Sequence, residues 1–210
     1  MNALGQSPLV CLITPGEATA DNFAEKKREI VAAVAAAVRE GVSIVQVREK
    51  SLTARLLSEL VEAVVAAARN STTKVLVNDR ADIALGYGAD GVHLAANSLP
   101  PAAIRGSFPR DFVVGVSTHT VDEVLAAKRR GADFAVFGPV FATPGKGAPQ
   151  GLETLARVCD AVRPLPVLAV GGIDESNCDS AIAAGASGIA AIRALNDQRS
   201  LRAIVDRSQT

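Results

Sequence analysis

Basic and amide side chains follow an early apolar run of this sequence, and their types suit the binding of an anion. Arg48 and Lys50 come after the run 43–47. Because they are two residues apart in an extended segment, they point to the same side, with Gln46 in phase with them. Two cations that point into a protein are costly unless an anion neutralises them. This spacing predicts an anion site, with a surface ion pair between Arg48 and Glu49 as the alternative.

A later loop and a strand end add further groups of the same kind. Lys146 lies in the Gly/Pro-rich segment 138–151 and supplies a third cation, while Ser117, Thr118 and Thr143 supply hydroxyl donors. Together with Arg48 and Lys50 these groups have the capacity to bind more than one phosphate. For Lys146 taken alone, a solvated loop lysine is the competing interpretation.

The segment Pro166 to Asn177, PVLAVGGIDESN, contains a third feature with phosphate-binding character. Its apolar first half is typical of a strand buried on both faces, and Gly171 and Gly172 end that strand. We expect Asp174 or Ser176 to cap a helix that follows directly, so that backbone N–H groups without a neighbouring Cβ bind a phosphate. An ordinary tight turn would also use two glycines.

One acidic residue and two histidines complete the candidates. Asp79, beside Asn78 at the end of an apolar run, is a candidate Mg²⁺ ligand, since Mg²⁺ bound with phosphates often takes only one or two protein carboxylates. A helix-capping aspartate is the alternative. His93 lies within a strand pattern and His119 follows another, and neither has a serine or cysteine partner that indicates a hydrolase triad. Paired acids typical of glycosidases are also missing from the sequence.

The elements that would position these residues alternate regularly. Short apolar runs are followed by helical periodicities, and Gly41, Gly88, Gly131 and Gly185 each resemble a helix C-cap that leads into a strand. The pattern predicts an α/β fold, a single (β/α)8 TIM barrel over residues 1–210, with its function at the carboxyl ends of the strands. The predicted strands are 9–14, 43–47, 74–77, 91–94, 112–116, 134–137, 166–170 and 188–192. The predicted helices include 21–40 with Asp21 or Asn22 as cap, 53–69, a short helix through Ala84, one opened by Pro100-Pro101, one containing Val121 and Leu125, and 152–162.

Composition limits the classes of partner. The 210 residues contain 22 basic and 22 acidic side chains and only 3% aromatics, so we expect no nucleic acid and no membrane among the partners. The odd number of cysteines, Cys11, Cys159 and Cys178, indicates reduced thiols in a cytoplasmic protein. The first ten residues lack the basic and apolar regions of a signal peptide.

In combination and order, six segments of the chain resemble the thiamine-phosphate synthase family, including its thiazole tautomerase relatives, over nearly the whole length. The resemblance implies a barrel enzyme, a Mg²⁺-dependent transferase, that joins a pyrimidine methyl diphosphate to a thiazole phosphate and releases diphosphate. The segments are VQVREK (45–50), VNDRADIAL (77–85), GADGVHL (88–94), GVSTHTVDE (115–123), GADFAVFGPVFAT (131–143) and AVGGI (169–173).

The resemblance also implies roles for individual residues. Arg48, Lys50, Asn78 and Lys146 resemble the family's diphosphate contacts, with Ser117 beside them. Asp79 resembles its metal ligand and Gln46 its pyrimidine contact. The thiazole phosphate would be bound by the remaining matches, which are Thr143, Gly172, Ile192 and Arg193.

The chain departs from the synthase pattern at three places and from the tautomerase pattern at one. After GVHL, where the family has a second metal-binding acid, the sequence reads Ala95 to Ser98, with Ser98 in place of the carboxylate. Gly145 stands where a second threonine is common, and Arg193 stands where a serine would bind phosphate. Pro139 follows the sixth strand as in the synthases, whereas the tautomerases have a histidine there.

These departures leave two alternatives to the synthase. One is a thiazole phosphate tautomerase, which would need no Mg²⁺ and for which His119 is the available acid–base group. The other is a non-catalytic barrel that binds thiamine precursors. In each case the partners are small phosphorylated heterocycles, and a homodimer is left open.

Overall fold

The computed structural model describes Leu4 and residues 8–208, and the predicted barrel is confirmed. In this part of the chain eight parallel strands form one closed barrel in sequence order, with β8 paired to β1. The strands are β1 Leu9–Ile13, β2 Ile44–Val47, β3 Lys74–Asn78, β4 Gly91–Leu94, β5 Val113–Thr118, β6 Phe134–Phe137, β7 Val167–Val170 and β8 Gly188–Ala191.

Helices connect the strands on the outside of the barrel. Each connection returns the chain to the start of the next strand, so every strand ends at the same face of the molecule. The helices are α1 Phe23–Arg39, α2 Ala54–Ala68, α3 Ala81–Gly86, α4 Pro101–Arg105, α5 Val121–Arg129, α6 Gly151–Val162, α7 Cys178–Ala183, α8 Arg193–Asn196 and α9 Gln198–Ser208.

Strand alternation divides the apolar residues between two cores. One face of each strand packs against the helices, as Val45, Val75 and Val92 do. The other face fills the barrel with a second cluster that includes Ile44, Leu76 and Phe134. Because side chains alternate along a strand, the next inward positions toward the carboxyl ends carry the polar groups of the chain.

Several predicted boundaries are wrong. Ser117 and Thr118 belong to β5 rather than to the loop after it. The helix after Gly171 and Gly172 begins only at Cys178, and neither Asp174 nor Ser176 caps it. Asp174 Oδ1 instead accepts hydrogen bonds from the Ser176 N–H and hydroxyl, which forms a local turn. An aspartate turn and an N-cap use the same side-chain chemistry, so the sequence could not separate them.

The cap of α1 shows the same ambiguity. Asn22 occupies the N-cap position, but its side chain makes no capping bond. Its Oδ1 accepts from the Thr19 N–H at 2.7 Å. All three cysteines are buried and unpaired, as predicted. Among the helices that the structure describes, none is long and apolar enough to cross a bilayer.

Candidate active site

A cavity of about 910 Å³ opens at the carboxyl ends of the strands. This volume falls within the range of about 300–1,000 Å³ that is usual for small-molecule sites. All the predicted site residues line it except Asp79 and Thr118, so groups from six different strand ends meet in one place. Those that line it are Gln46, Arg48, Lys50, Asn78, Ser117, Thr143, Lys146, Gly172, Ile192 and Arg193. The prediction for Thr118 is wrong, because its hydroxyl is buried and donates to the Val136 carbonyl at 3.1 Å.

The cavity wall carries more unpaired cations than unpaired acids. Among the described residues, none of the four cations that line it forms an ion pair with a protein carboxylate. Arg48 is half-buried, whereas Lys50, Lys146 and Arg193 are exposed at the rim. Unpaired cations that face a shared cavity favour an anionic ligand.

The alternative of a surface ion pair for Arg48 is wrong. The Glu49 side chain is buried on the opposite side of the chain, at 3% exposure. Its two carboxylate oxygens accept hydrogen bonds from the Gly16 N–H at 2.9 Å and the Ala18 N–H at 2.8 Å. The Arg48 N–H donates to Thr14 Oγ1 at 2.8 Å. Backbone and side-chain bonds from the β1–α1 loop thus fix the segment that aims Arg48 into the cavity, a support that sequence reasoning missed.

Ser117 has a partner that the sequence did not reveal. The His93 Nε2 atom lies 2.8 Å from Ser117 Oγ, so the prediction that His93 lacks a serine partner is wrong. No acid completes a triad, because His93 Nδ1 has no hydrogen-bond partner in the described part of the chain. Burial lowers the pKa of His93 to about 4, the charges of Asp79 and Arg48 having smaller and opposite effects. The imidazole is therefore neutral at physiological pH.

Asp79 lies at the rim beside the cavity rather than on its wall. Its backbone is left-handed, with φ +56°, a conformation in which aspartate is enriched among non-glycine residues. Its Oδ1 accepts from the Ala95 N–H at 2.8 Å, and its Oδ2 accepts from Asn78 Nδ2 at 2.9 Å. The helix-cap alternative is wrong, since Arg80 holds the N-cap position of α3 and no side chain caps that helix.

The protein side chains near Asp79 can hold a metal ion only if a bound ligand supplies some of the coordinating oxygens. No group of three or more acid, histidine or cysteine side chains able to hold a metal occurs within the described ranges. Asp79 is the one predicted carboxylate, and each of its oxygens keeps a lone pair beyond the bond it accepts. Mg²⁺ tolerates such a site when phosphate oxygens and water supply its other ligands.

The two glycines after β7 form a left-handed turn that packs tightly on the β6–α6 loop. Gly171 has φ +93° and Gly172 has φ +65°. A Cβ on Gly171 would lie 2.5 Å from Pro139 Cβ, and one on Gly172 would lie 2.6 Å from the Ala142 carbonyl oxygen. Thr143 Oγ1 would lie 3.1 Å from the added Gly171 Cβ, so the hydroxyl is beside the turn. Within the described chain the two glycine N–H groups donate no hydrogen bond.

The end of β8 contributes Ile192 and Arg193, as predicted, together with groups that the sequence did not single out. Asp174 and Asp197 also line the cavity, near its glycine turn and its α8 wall. Asn196 Nδ2 donates to the Ile13 carbonyl at 2.8 Å and anchors α8 to the adjacent strand β1.

His119 lines the cavity, and its hydrogen bond to the protein identifies which ring nitrogen carries a proton. Its Nδ1 lies 2.6 Å from the Gly138 carbonyl oxygen. Because a carbonyl oxygen only accepts, Nδ1 must carry the proton, and in the neutral ring Nε2 is left as an acceptor. The two histidines of the cavity thus differ in which nitrogen is bonded to the protein.

A second depression, of about 590 Å³, lies on the outside of the barrel between α1 and α2. Apolar and small side chains, among them Phe23, Val31 and Ala63, form most of its lining. None of the predicted site residues borders it, so the chemistry of the described chain concentrates at the strand ends.

Known protein structures share this fold. A thiamine phosphate pyrophosphorylase from Pyrococcus furiosus is 28% identical and superposes with a TM-score of 0.81 over 98% of this chain and 97% of that one. A 3-hexulose-6-phosphate synthase, 20% identical with a TM-score of 0.68, shares the fold and covers 93% of this chain and 96% of its own.

Sequence relatives extend over most of the chain. The thiamine-phosphate synthase of Chlorobium luteolum is 38% identical over 197 residues, which are 92% of this chain and 88% of that protein. The thiamine-phosphate synthase of Roseiflexus sp. is 38% identical over 178 residues, which are 83% and 75% of the two chains. A model of the family described as thiamine monophosphate synthase matches residues 10–195. The chain therefore belongs to the thiamine monophosphate synthase family.

Proposed function

We propose that this protein is a thiamine-phosphate synthase, a transferase that joins a pyrimidine methyl diphosphate to a thiazole phosphate and releases diphosphate. The observation that carries the proposal is the meeting of unpaired cations, hydroxyl and amide groups and a glycine turn in one cavity. Relatives named as thiamine-phosphate synthases, 38% identical over most of the chain, agree with it.

The diphosphate would bind between β2 and the β6–α6 loop. Arg48, Lys50 and Lys146 supply positive charge, and Asn78 and Ser117 supply hydrogen-bond donors. Charge accumulates on the diphosphate as its bond to the pyrimidine methylene carbon breaks. Preorganised cations lower the barrier to that step because they are already oriented before the charge develops.

The two ring systems would bind closer to the barrel interior and toward β8. Gln46 is 2% exposed at the cavity floor, and its amide is the group proposed to orient the pyrimidine. Thr143, Gly172, Ile192 and Arg193 are proposed to bind the thiazole phosphate. Holding the thiazole nitrogen next to the electron-poor carbon replaces a bimolecular encounter with an oriented one.

Mg²⁺ is the proposed cofactor, with Asp79 as its protein ligand. When bound, the ion would offset negative charge on the diphosphate. Arg193, which stands where the family resemblance implies a phosphate-binding serine, adds a full positive charge on the thiazole side of the cavity.

The test is diphosphate release from the purified protein mixed with both phosphorylated precursors, with and without Mg²⁺. We expect Mg²⁺-dependent release that Asp79→Ala reduces at least a hundredfold. Lys146→Ala should also lose activity, and its thermal unfolding should be unchanged because the side chain is exposed. Arg69→Ala, an exposed arginine at the C-cap of α2, is the control. Release independent of Asp79 would refute the metal assignment.

The same mixture distinguishes the alternatives. Isomerisation of a thiazole phosphate without diphosphate release would replace the proposal with the tautomerase. Binding of both precursors without turnover would identify a non-catalytic barrel.

A further inference from the structure

His93 occupies an unusual place for an imidazole. It is 1% exposed inside the barrel, on β4, at the level where the apolar core gives way to the cavity. Its Nε2 lies 2.8 Å from Ser117 Oγ on the adjacent strand. Its Nδ1 is buried without a hydrogen-bond partner among the described residues.

The surroundings of Nδ1 are apolar. A Cβ built on Gly115 would lie 2.8 Å from Nδ1 and 2.3 Å from the Phe134 ring, so the glycine makes room for both rings. The centroids of the His93 and Phe134 rings are 5.9 Å apart. The ring therefore has an apolar side toward the core and a polar side toward Ser117.

This asymmetry selects one tautomer of the neutral ring. If Nδ1 carried the proton, an N–H donor would be buried with no acceptor, which is the rarer and costlier kind of unsatisfied group. If Nε2 carries the proton, its N–H donates to Ser117 Oγ, and only the Nδ1 lone pair is buried without a hydrogen bond. The second arrangement makes the serine oxygen an acceptor and leaves its own proton free for another partner.

We propose that His93 is a positioning residue, whose Nε2–H donates to Ser117 Oγ and so directs the serine hydroxyl proton into the cavity toward an oxygen of a bound diphosphate. The identity of the anion rests on the proposed function. The placement of the serine proton rests on the His93 and Ser117 contacts alone.

The tautomer is tested first, on the protein without ligand. Because the chain has only two histidines, ¹⁵N-labelled histidine gives two ring systems, and His93→Gln assigns the signals of His93 by removing them. At pH 8 we expect His93 to be protonated at Nε2 and His119 at Nδ1. A spectrum with His93 protonated at Nδ1 would overturn the proposal.

The functional consequence is tested as a double-mutant cycle with His93→Leu and Ser117→Ala. The readouts are the dissociation constant of inorganic diphosphate, by calorimetry, and kcat/KM for diphosphate release. Ser117→Ala should weaken both about tenfold or more, because a hydrogen bond to a charged group is lost. His93→Leu should weaken both about three- to tenfold when Ser117 is present and less than twofold when it is absent.

A third variant separates positioning from packing. His93→Gln keeps an N–H donor at the end of its side chain, so it should recover most of the affinity that His93→Leu loses. Equal losses from His93→Leu in both backgrounds would mean that the ring only fills space, and the proposal would fail. If the wild type binds diphosphate and makes no thiamine phosphate, the proposed function fails while the binding cycle still decides the role of His93.

Discussion

The two halves of the cavity are built by different means. We call β2 to β5 with their following loops the cationic half, and β6 to β8 with theirs the glycine half. In the cationic half, buried side chains hold their surroundings in place: Glu49 accepts from backbone N–H groups of the β1–α1 loop, and His93 is hydrogen-bonded to Ser117. In the glycine half, backbone packs on backbone. The first half should therefore be sensitive to lost functional groups and the second to added atoms.

The β6–α6 loop belongs to the glycine half but contributes a cation to the proposed diphosphate site. The β6–α6 loop carries Lys146 to the cavity, yet it packs on the glycine turn through Pro139 and Ala142. A change in the glycine half can therefore displace a cation that serves the other half.

The largest effect is expected from a cation. Arg48→Ala should lower kcat/KM by about a hundredfold to a thousandfold, about 3–4 kcal/mol of transition-state stabilisation. Stability to urea should change little, because the guanidinium forms no ion pair within the described chain. Steady-state kinetics beside Arg69→Ala measures the difference. An Arg48→Ala protein with normal turnover would remove Arg48 from the proposed diphosphate contacts.

A pH effect of similar size is expected on stability. His93 has a pKa of about 4 when folded, against 6.5 for an unperturbed imidazole. As the pH falls below 6.5, His93 becomes protonated in the unfolded chain but stays neutral in the folded one. The free energy of unfolding should therefore fall by about 3 kcal/mol by pH 4. Urea titrations at several pH values measure it.

The contribution of His93 is isolated by two matched variants. His93→Gln should remove this part of the pH dependence, since glutamine does not titrate. His119→Gln replaces the exposed histidine and leaves His93 in place, so this part of the pH dependence should remain. If both variants flatten the profile equally, the loss of stability has another origin.

The glycine half is tested by one methyl group. Gly172→Ala should lower the free energy of unfolding by about 2 kcal/mol, because a left-handed backbone and a carbonyl oxygen 2.6 Å away oppose the new Cβ. Affinity for the thiazole phosphate should fall with it. Gly147→Ala is the control in the β6–α6 loop, since nothing lies within 4 Å of its added Cβ. Equal stability of the two variants would contradict the packing argument.

The smallest effect is expected at the support of Arg48. Glu49→Gln keeps one accepting oxygen but turns an amide donor toward a backbone N–H, which should cost about 1–2 kcal/mol of stability. Substrate affinity should weaken less than in Arg48→Ala. Glu62→Gln, on the exposed face of α2, should leave both unchanged. Unchanged stability of Glu49→Gln would show that the β1–α1 loop is held by other contacts.

The sequence predicted the barrel and most of the cavity because both follow from regular patterns. Strands alternate with helices along the chain, and side chains alternate between the two faces of a strand. The phase of Gln46, Arg48 and Lys50 is a local property of one strand, and the convergence of strand ends follows from the fold. The bond between His93 and Ser117 joins residues 24 apart on neighbouring strands and depends on the register of β4 and β5. No local pattern encodes that register.

The role of Glu49 was missed for a related reason. Its neighbours in the sequence are cations, so an ion pair was the simplest interpretation, whereas its partners in the fold are backbone N–H groups 31 and 33 residues away. Asp79 was placed correctly at a strand end. The sequence did not predict its left-handed backbone, which turns it to the rim.

Both ends of the β6–α6 loop are fastened by backbone hydrogen bonds. At its start Val140 and Phe141 donate to Val170 and Gly171, and at its end Gln150 and Gly151 donate back to Pro139 and Val140. The segment that lies between these anchors, and that can vary in length, is 142–149. Insertions or deletions there would change how far Lys146 reaches without altering the strands, so relatives could tune this loop independently of the barrel.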